Sequence, residues 1–303
     1  MRIWKIFIKS IKNLFKNKKL WVFLFLVEFI IALVLLNPLA SQFNQMFSNS
    51  LSAHEILQGQ GTNSIFEFLV HKAQTIAVQR QILLLAGFFY LVVTIFFNAG
   101  IISSLLEKRN FKSAFFFQSA GHFFGRLLRL FIWSWPFYLI ALLLYSILGK
   151  IFKLISGESE PLIFIFFILN IIILAFVFLF IKMGFDYTKI ALISEDKKSI
   201  IKTNFKTWKF VWKNKGKSLS LFYLIVFLGI MLGVIYFSLS SLLHINTWIA
   251  IILLFVLQQL FIFSRTGTRL IYFSSLIYLF QDVEEPLLKA WYKDDSYVDK
   301  MIT

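Results

Sequence analysis

The sequence contains no cysteine, and only 15% of its 303 residues are charged. Without a thiol, the chain cannot hold a cysteine nucleophile, an iron–sulfur cluster, cysteine-ligated zinc or a disulfide-stabilised fold. A soluble domain carries roughly 25% charged residues, whereas this chain is 59% hydrophobic and has 39 phenylalanines. The composition therefore also excludes a soluble globular enzyme and a disordered protein.

Motifs of catalytic and nucleotide-binding sites are missing as well. Neither H-E-x-x-H nor G-x-S-x-G occurs, and Gly216-Lys217-Ser218 lacks the upstream glycine of a phosphate-binding loop because position 211 is valine. The four histidines are scattered along the chain. We therefore expect no catalytic residue, no cofactor and no bound metal, with an intramembrane enzyme as a distant alternative.

Long apolar runs are what the chain does contain. A membrane-crossing helix needs about 20 mainly apolar residues, and no stretch shows the alternation of a membrane β-strand. The predicted fold class is all-α, a polytopic membrane protein with six transmembrane helices in a single integral membrane domain over 1–303. The predicted spans are 20–36, 82–106, 127–148, 162–181, 219–243 and 248–264, followed by a cytoplasmic tail over 265–303.

The lysines and arginines between the spans predict the direction of threading. Alternate sides hold 27 and 4 of these residues, and basic loops stay in the cytoplasm. The chain is therefore predicted to lie in a bacterial cytoplasmic (inner) membrane with both termini cytoplasmic. The net charge of +16 follows from this asymmetry, so no nucleic-acid partner is expected.

A signal peptide is the alternative to a first span at Leu20–Leu36. The basic leader before it and Asn37-Pro38-Leu39-Ala40 after it resemble such a segment. However, the apolar run is longer than the usual 7–15 residues, it contains Glu28, and Pro38 fits the small-residue cleavage pattern poorly. We expect the segment to remain as the first span.

Basic amphipathic helices are predicted before spans one, three and five. In 2–18, the apolar residues Trp4, Phe7, Ile8, Ile11, Leu14 and Phe15 recur at helical spacing, and Ile201, Phe205, Trp208 and Trp212 do so before span five. A fainter third copy covers 111–128. Such helices lie at the membrane surface with lysines towards anionic phospholipids, although docking of a cytoplasmic protein or complex is an alternative use. The predicted lysine faces are Lys5, Lys9, Lys12 and Lys16, and Lys198, Lys202, Lys206, Lys209 and Lys213.

A possible internal repeat links these segments. Residues 12–19 align with residues 209–216, with four of the eight positions identical. This alignment suggests three repeated units, each a surface helix followed by a hairpin of two spans.

Polar residues inside the predicted spans are costly and therefore informative. Counting depth from the cytoplasmic ends predicts one polar layer near the membrane midplane, with Glu28 as its only ionisable member. The layer could be a proton or cation site or a headgroup groove; alternatively, its members join helices by hydrogen bonds. They are Glu28, Asn98, Ser134, Asn170, Gln258 and Gln259.

Three further patterns predict helix packing, ion pairs and lipid contacts. Gly229 and Gly233 form a G-x-x-x-G face, which predicts close helix packing. We expect this packing inside the protein, with a homodimer interface as the second alternative. Lys182, Asp186 and Lys189 have the spacing of helical ion pairs. Four arginines could contact lipid phosphates or extend to the interface by default; they are Arg126, Arg129, Arg265 and Arg269.

Four segments carry a resemblance to a known group of proteins: 98–102 (NAGII), 121–129 (GHFFGRLLR), 186–191 (DYTKIA) and 258–269. Together they resemble an uncharacterised family of six-span bacterial inner-membrane proteins. That family is similar to the membrane domain of some glycerophosphodiester phosphodiesterases. The phosphodiesterase catalytic domain is absent and the family supplies no catalytic residues, so the resemblance implies only an association with lipid.

These observations predict a non-enzymatic multi-pass inner-membrane protein that handles lipid or another hydrophobic cargo, or that scaffolds a membrane complex. Its expected partners are membrane lipids, anionic phospholipids above all. The alternative is the permease subunit of an ABC-type exporter, which would need a separate ATPase docking on 111–128 or 197–213.

Overall fold

The computed structural model describes residues 3–47, 73–107, 111–157, 159–243 and 247–283. Within these residues the chain forms eight helices and no strand, which confirms the predicted all-α class. The helices are α1 (Ile3–Lys16), α2 (Lys18–Phe47), α3 (Ala73–Leu106), α4 (Ser113–Ser156), α5 (Glu160–Ser194), α6 (Ile200–Lys213), α7 (Lys215–Ser241) and α8 (Trp248–Val283).

Six of these helices are long and apolar enough to cross a membrane, so the chain is a multi-pass membrane protein. Five of them contain one predicted span each, and α7 ends at Ser241, two residues before the predicted end of span five. The apolar stretches are Lys18–Leu36, Leu84–Leu106, Ser113–Ser156, Glu160–Ser194, Lys215–Ser241 and Trp248–Asp282.

The packing divides the predicted single domain into two compact units. The first contains Met1–Trp21 and Ile95–Thr303, and the second contains Val22–Thr94. Within the second unit, Phe25 and Phe29 stack one helical turn apart, with ring centroids separated by 6.3 Å. The first unit holds α1, the end of α3 and helices α4 to α8.

Helices α4, α5 and α8 of the first unit are longer than a bilayer requires. The 44 residues of α4 extend over about 66 Å, whereas the hydrocarbon core of a bilayer is about 30 Å thick. One part of each helix is buried in a common core, and the remainder exposes apolar side chains of the kind that lipid covers. We call the buried part the basic end; it comprises α1, 18–21, 95–106, 113–130, 181–194, α6, 215–225 and 266–283.

The basic segment before span three is not a separate surface helix. It forms the beginning of α4, which continues without a break through Pro136 to Ser156. Phe116, Phe123, Leu127 and Leu130 are all buried on one stripe of this helix. The helix does not end between this segment and the span, and the buried stripe continues from one into the other.

Residues 265–283 continue α8 and do not form a separate tail. This part of α8 is the centre of the basic end, where Leu270, Leu276 and Leu279 are at most 1% exposed. Its neighbours meet this part of α8, or Phe263 just before it, through specific contacts. The contacts are Trp21 with Phe263, Asn98 with Arg269, Asp186 and Phe222 with Tyr272, Asn13 with Ser274, and Phe210 with Phe280.

An asparagine separates each short amphipathic helix from the span that follows it. The backbone N–H and Nδ2 of Asn17 both donate to the carbonyl of Asn13, at 3.0 and 2.9 Å. Asn214 makes the same pair of bonds to the carbonyl of Phe210, at 3.0 and 3.1 Å. The two asparagines are aligned in the sequence repeat, so the local structure repeats there, between α1–α2 and α6–α7.

Candidate functional site

A fully satisfied carboxylate joins α5 to α8 at the basic end. Asp186 is 1% exposed and accepts from Lys189 Nζ at 2.6 Å on Oδ1, and from Lys182 Nζ at 2.9 Å on Oδ2. These bonds confirm the helical ion pairs predicted from the sequence. The hydroxyl of Tyr272 also donates to Oδ2, at 2.6 Å, a partner that sequence spacing could not reveal. Because both oxygens accept from side chains of the protein itself, the cluster fastens two helices.

A second polar cluster joins α5 to α6. The hydroxyl of Thr188 lies 3.0 Å from Oδ1 of Asn204 and 2.7 Å from the hydroxyl of Thr207. All three residues are buried. They were missed in the sequence because the lysine and aromatic stripes dominate the pattern of α6. The available signal was the small polar residues at positions 203, 204 and 207, which share the remaining face.

The link between α5 and α6 holds two acidic side chains that reach different helices. Glu195 accepts from Lys206 of α6 at 3.0 Å and pairs with Lys197. Asp196 pairs with Arg126 of α4, and His122 Nε2 lies 3.7 Å from it. These contacts fix α6 and α4 against the end of α5.

The four arginines predicted to contact lipid phosphate have different surroundings. Arg126 is 11% exposed and bound to Asp196, while Arg269 donates to Oδ1 of Asn98 at 2.9 Å. Arg129 is exposed and its Nε donates to the carbonyl of Gly125 at 3.1 Å. Arg265 is exposed too. Arg126 and Arg269 are thus committed to protein contacts, so the four do not act as one phosphate clamp.

The predicted midplane layer is spread over three heights along α4. Asn98 lies at the level of Phe116 to Phe124, because its neighbours Phe97 and Phe96 contact those rings. Ser134 lies ten residues beyond Phe124, roughly 15 Å further along the helix. Asn170 donates to the carbonyl of Tyr145 at 3.2 Å, another eleven residues on and roughly 16 Å away.

The remaining members are two glutamines and a glutamate. Gln258 is exposed, and Gln259 is half-buried. Glu28 belongs to the second unit, so its place in the layer stays a prediction. The prediction of one layer assumes that the span ends lie in one plane, but the helices extend beyond the spans by different lengths, so equal depths along the sequence correspond to unequal heights.

The G-x-x-x-G face does not mediate close packing within the part of the chain that the structure describes. A Cβ added at Gly229 or Gly233 would meet nothing within 4 Å. The close approaches occur instead at Gly100, Gly184 and Gly267. There a Cβ would lie 2.6 to 2.8 Å from the rings of Phe116, Trp208 and Trp21. Spacing alone could not tell a packed glycine face from an open one.

Helix α1 presents three faces, each about a third of its circumference. Ile6, Phe7, Ser10 and Leu14 are buried in the core. Lys5, Lys9, Lys12 and Lys16 are exposed on a second face. Trp4, Ile8 and Phe15 are exposed on the third, Trp4 to 61%. The single apolar face predicted for the membrane is therefore divided, because Phe7 and Leu14 pack inside the protein.

Helix α6 repeats the arrangement. Thr203, Asn204, Thr207, Phe210 and Val211 are buried. The exposed apolar face contains Ile201, Phe205 and Trp212, and the lysine face contains Lys202, Lys209 and Lys213, with Lys206 half-buried beside Glu195. Lys198 is exposed and lies just before the helix. In both helices, an exposed apolar face therefore lies beside an exposed cationic face. This pairing suits the boundary between acyl chains and anionic headgroups.

Comparisons with protein families, with curated proteins and with solved structures find no match to this chain. Within the described residues, no three His, Asp or Glu side chains gather as they would around a metal ion. His54, His71 and His244 lie outside those residues. The two lysine-rich helices, α1 and α6, are the feature of the basic end with the clearest chemistry.

Proposed function

We propose that the chain is a non-enzymatic protein of the bacterial cytoplasmic membrane whose basic end binds an anionic lipid surface. On that surface it handles lipid or supports a membrane complex. The observation that carries the proposal is the shared design of α1 and α6, in which one face is fixed in the core while an apolar and a lysine face stay exposed.

The energetics favour lipid over water as the neighbour of these faces. Each lysine close to an anionic membrane surface contributes about 1 kcal/mol of attraction. Exposed aromatic and aliphatic side chains such as Trp4, Ile8 and Phe205 gain by leaving water. Because both helices pack against α8, they would bind lipid as parts of one body rather than as detachable arms.

The resemblance to phosphodiesterase membrane domains is consistent with a role near lipid. Residues from its four segments make contacts in the basic end. Asn98 bonds to Arg269 of another segment, while Gly100 adjoins Phe116, Arg126 pairs with Asp196, and Asp186 bonds to Tyr272, three partners outside the segments. These residues build the core that supports α1 and α6, which suits a structural rather than a catalytic role.

The absence of cysteine allows a direct test of the exposed faces. Single cysteines at Ile8 and Phe205 would carry a fluorophore on the apolar faces, and cysteines at Lys12 and Lys209 would carry it on the lysine faces. In vesicles with phosphatidylglycerol, nitroxide-labelled lipids should quench the Ile8 and Phe205 labels more strongly, and aqueous iodide should quench the lysine-face labels more strongly.

Two outcomes would contradict lipid contact. Equal quenching of all four labels by iodide would place the apolar faces in water. Protection of the Ile8 and Phe205 labels from both quenchers would indicate a covering protein, and a stoichiometric ATPase purified with the chain would then favour the permease alternative.

The proposed threading makes a separate prediction with the same approach. Cysteines replacing Lys12, Lys209 and Lys150 are labelled in intact spheroplasts with a membrane-impermeant maleimide. Lys150→Cys should react at once, whereas Lys12→Cys and Lys209→Cys should react only after lysis, because basic loops stay cytoplasmic. Reaction of Lys12→Cys in intact spheroplasts would contradict an even number of crossings with basic flanks inside.

A further inference from the structure

A crevice of about 400 Å³ opens between α4 and α5, far from the basic end. Most of its wall is apolar, from Ile163, Phe166 and Phe167 of α5 and Phe152 of α4. The rings of Phe152 and Phe166 stack with centroids 5.0 Å apart. The volume lies within the range of about 300–1,000 Å³ that is typical of small-molecule sites.

Two of the polar side chains that line this crevice are lysines. Lys150 and Lys153 of α4 line it, and both are exposed. Neither lysine is ion-paired with an acidic side chain among the residues that the structure describes. The crevice therefore combines an apolar wall with two ammonium groups, the combination that an anionic amphiphile requires.

Asn170 is an independent sign of a ligand. It lines the crevice and is 4% exposed. Its Nδ2 donates to the carbonyl of Tyr145, but its buried Oδ1 has no partner among the described residues. A buried acceptor without a donor is costly. Gly149 adjoins the amide, since a Cβ there would lie 3.1 Å from Nδ2.

We infer that this crevice binds one phospholipid with an anionic phosphate and a hydroxylated headgroup, of which phosphatidylglycerol is the simplest example. Lys150 and Lys153 hold the phosphate, and a headgroup hydroxyl donates to Oδ1 of Asn170. An acyl chain lies against the phenylalanines, and the lining residues from Tyr145 to Ser156 extend over roughly 17 Å of helix.

The position of the lysines fits this occupant. Lys150 and Lys153 follow the predicted end of span three at residue 148, so they are placed at the height of lipid headgroups. The site uses no residue of α1, of α6 or of the polar clusters around Asp186 and Thr188. It therefore rests on the membrane-spanning arrangement of α4 and α5 and stands apart from the lipid surface proposed for the basic end.

The test uses the full chain in detergent and measures retention of phosphatidylglycerol and of phosphatidylcholine by native mass spectrometry. The double variant Lys150→Gln/Lys153→Gln should bind phosphatidylglycerol about tenfold more weakly, the loss expected for roughly one charge-assisted hydrogen bond. The matched control is Lys150→Arg/Lys153→Arg, which keeps both positive charges at the crevice and should leave retention unchanged.

A second variant separates the two polar contacts. Asn170→Leu removes the amide but keeps an apolar wall, so it should reduce the preference for phosphatidylglycerol over phosphatidylcholine. Soluble glycerol 3-phosphate should not displace the lipid, because it lacks the acyl chain. Equal retention by the wild type and Lys150→Gln/Lys153→Gln would overturn the site, and so would displacement by glycerol 3-phosphate. This test is independent of the proposed function. If nitroxide-labelled lipids failed to quench the labels on α1 and α6, retention of phosphatidylglycerol at the crevice would still be expected.

Discussion

Replacing Asp186 with alanine is expected to lower the free energy of unfolding by about 3 kcal/mol, the lower end of the range for breaking a buried ion pair. The substitution removes the acceptor of Lys182, Lys189 and Tyr272 at once. Lys182 is half exposed and can turn its ammonium to solvent, but Lys189 is 22% exposed and has less freedom. The unpaired charge and the orphaned hydroxyl therefore remain near the core that joins α5 to α8.

Graded variants separate the charge from the hydroxyl. Tyr272→Phe loses one hydrogen bond and should cost about 1 kcal/mol, whereas Lys182→Gln should cost less than Asp186→Ala because its side chain is partly solvated. Unfolding in detergent micelles, followed by circular dichroism during titration with dodecyl sulfate, measures each difference. An unfolding midpoint for Asp186→Ala equal to that of the wild type would show that the cluster does not fasten the two helices.

The spans could be predicted because their evidence is local. A run such as 162–181 is apolar in any context, and the same is true of the lysine and aromatic stripes of α1 and α6. The buried faces of those two helices could not be found in this way. Ser10 and Thr207 reveal their place only through the helices that pack on them.

The second half of α8 shows where hydropathy misleads. The mean hydropathy falls after span six because of Arg265, Thr266, Thr268 and Arg269, so the sequence beyond the span predicts a tail. In the structure Thr266 is 2% exposed, and Arg269 is directed to Asn98. Such pairings join residues that are 171 positions apart, and no periodicity within one helix contains that information.

Replacing Gly184 with leucine is the other substitution for which we expect a large effect. A Cβ at this position would lie 2.6 Å from the indole of Trp208. That indole is held by its neighbours, since Phe180 contacts it edge-on at 5.5 Å and Phe137 is parallel to it at 6.4 Å. Overpacking at such a site costs about 1–3 kcal/mol and occasionally more, and we expect about 3 kcal/mol because the indole has little room to move.

Gly233→Leu is the matched control for this prediction. Gly233 is also a helical glycine of a span, but a Cβ there meets nothing within 4 Å. Removing a glycine from a helix interior favours the helix by up to about 1 kcal/mol, so Gly233→Leu should unfold at or slightly above the midpoint of the wild type. If both variants unfold at the same midpoint, the contact of Trp208 in α6 with Gly184 in α5 does not hold these two helices together. The lysine face of α6 would then lose this support from the core.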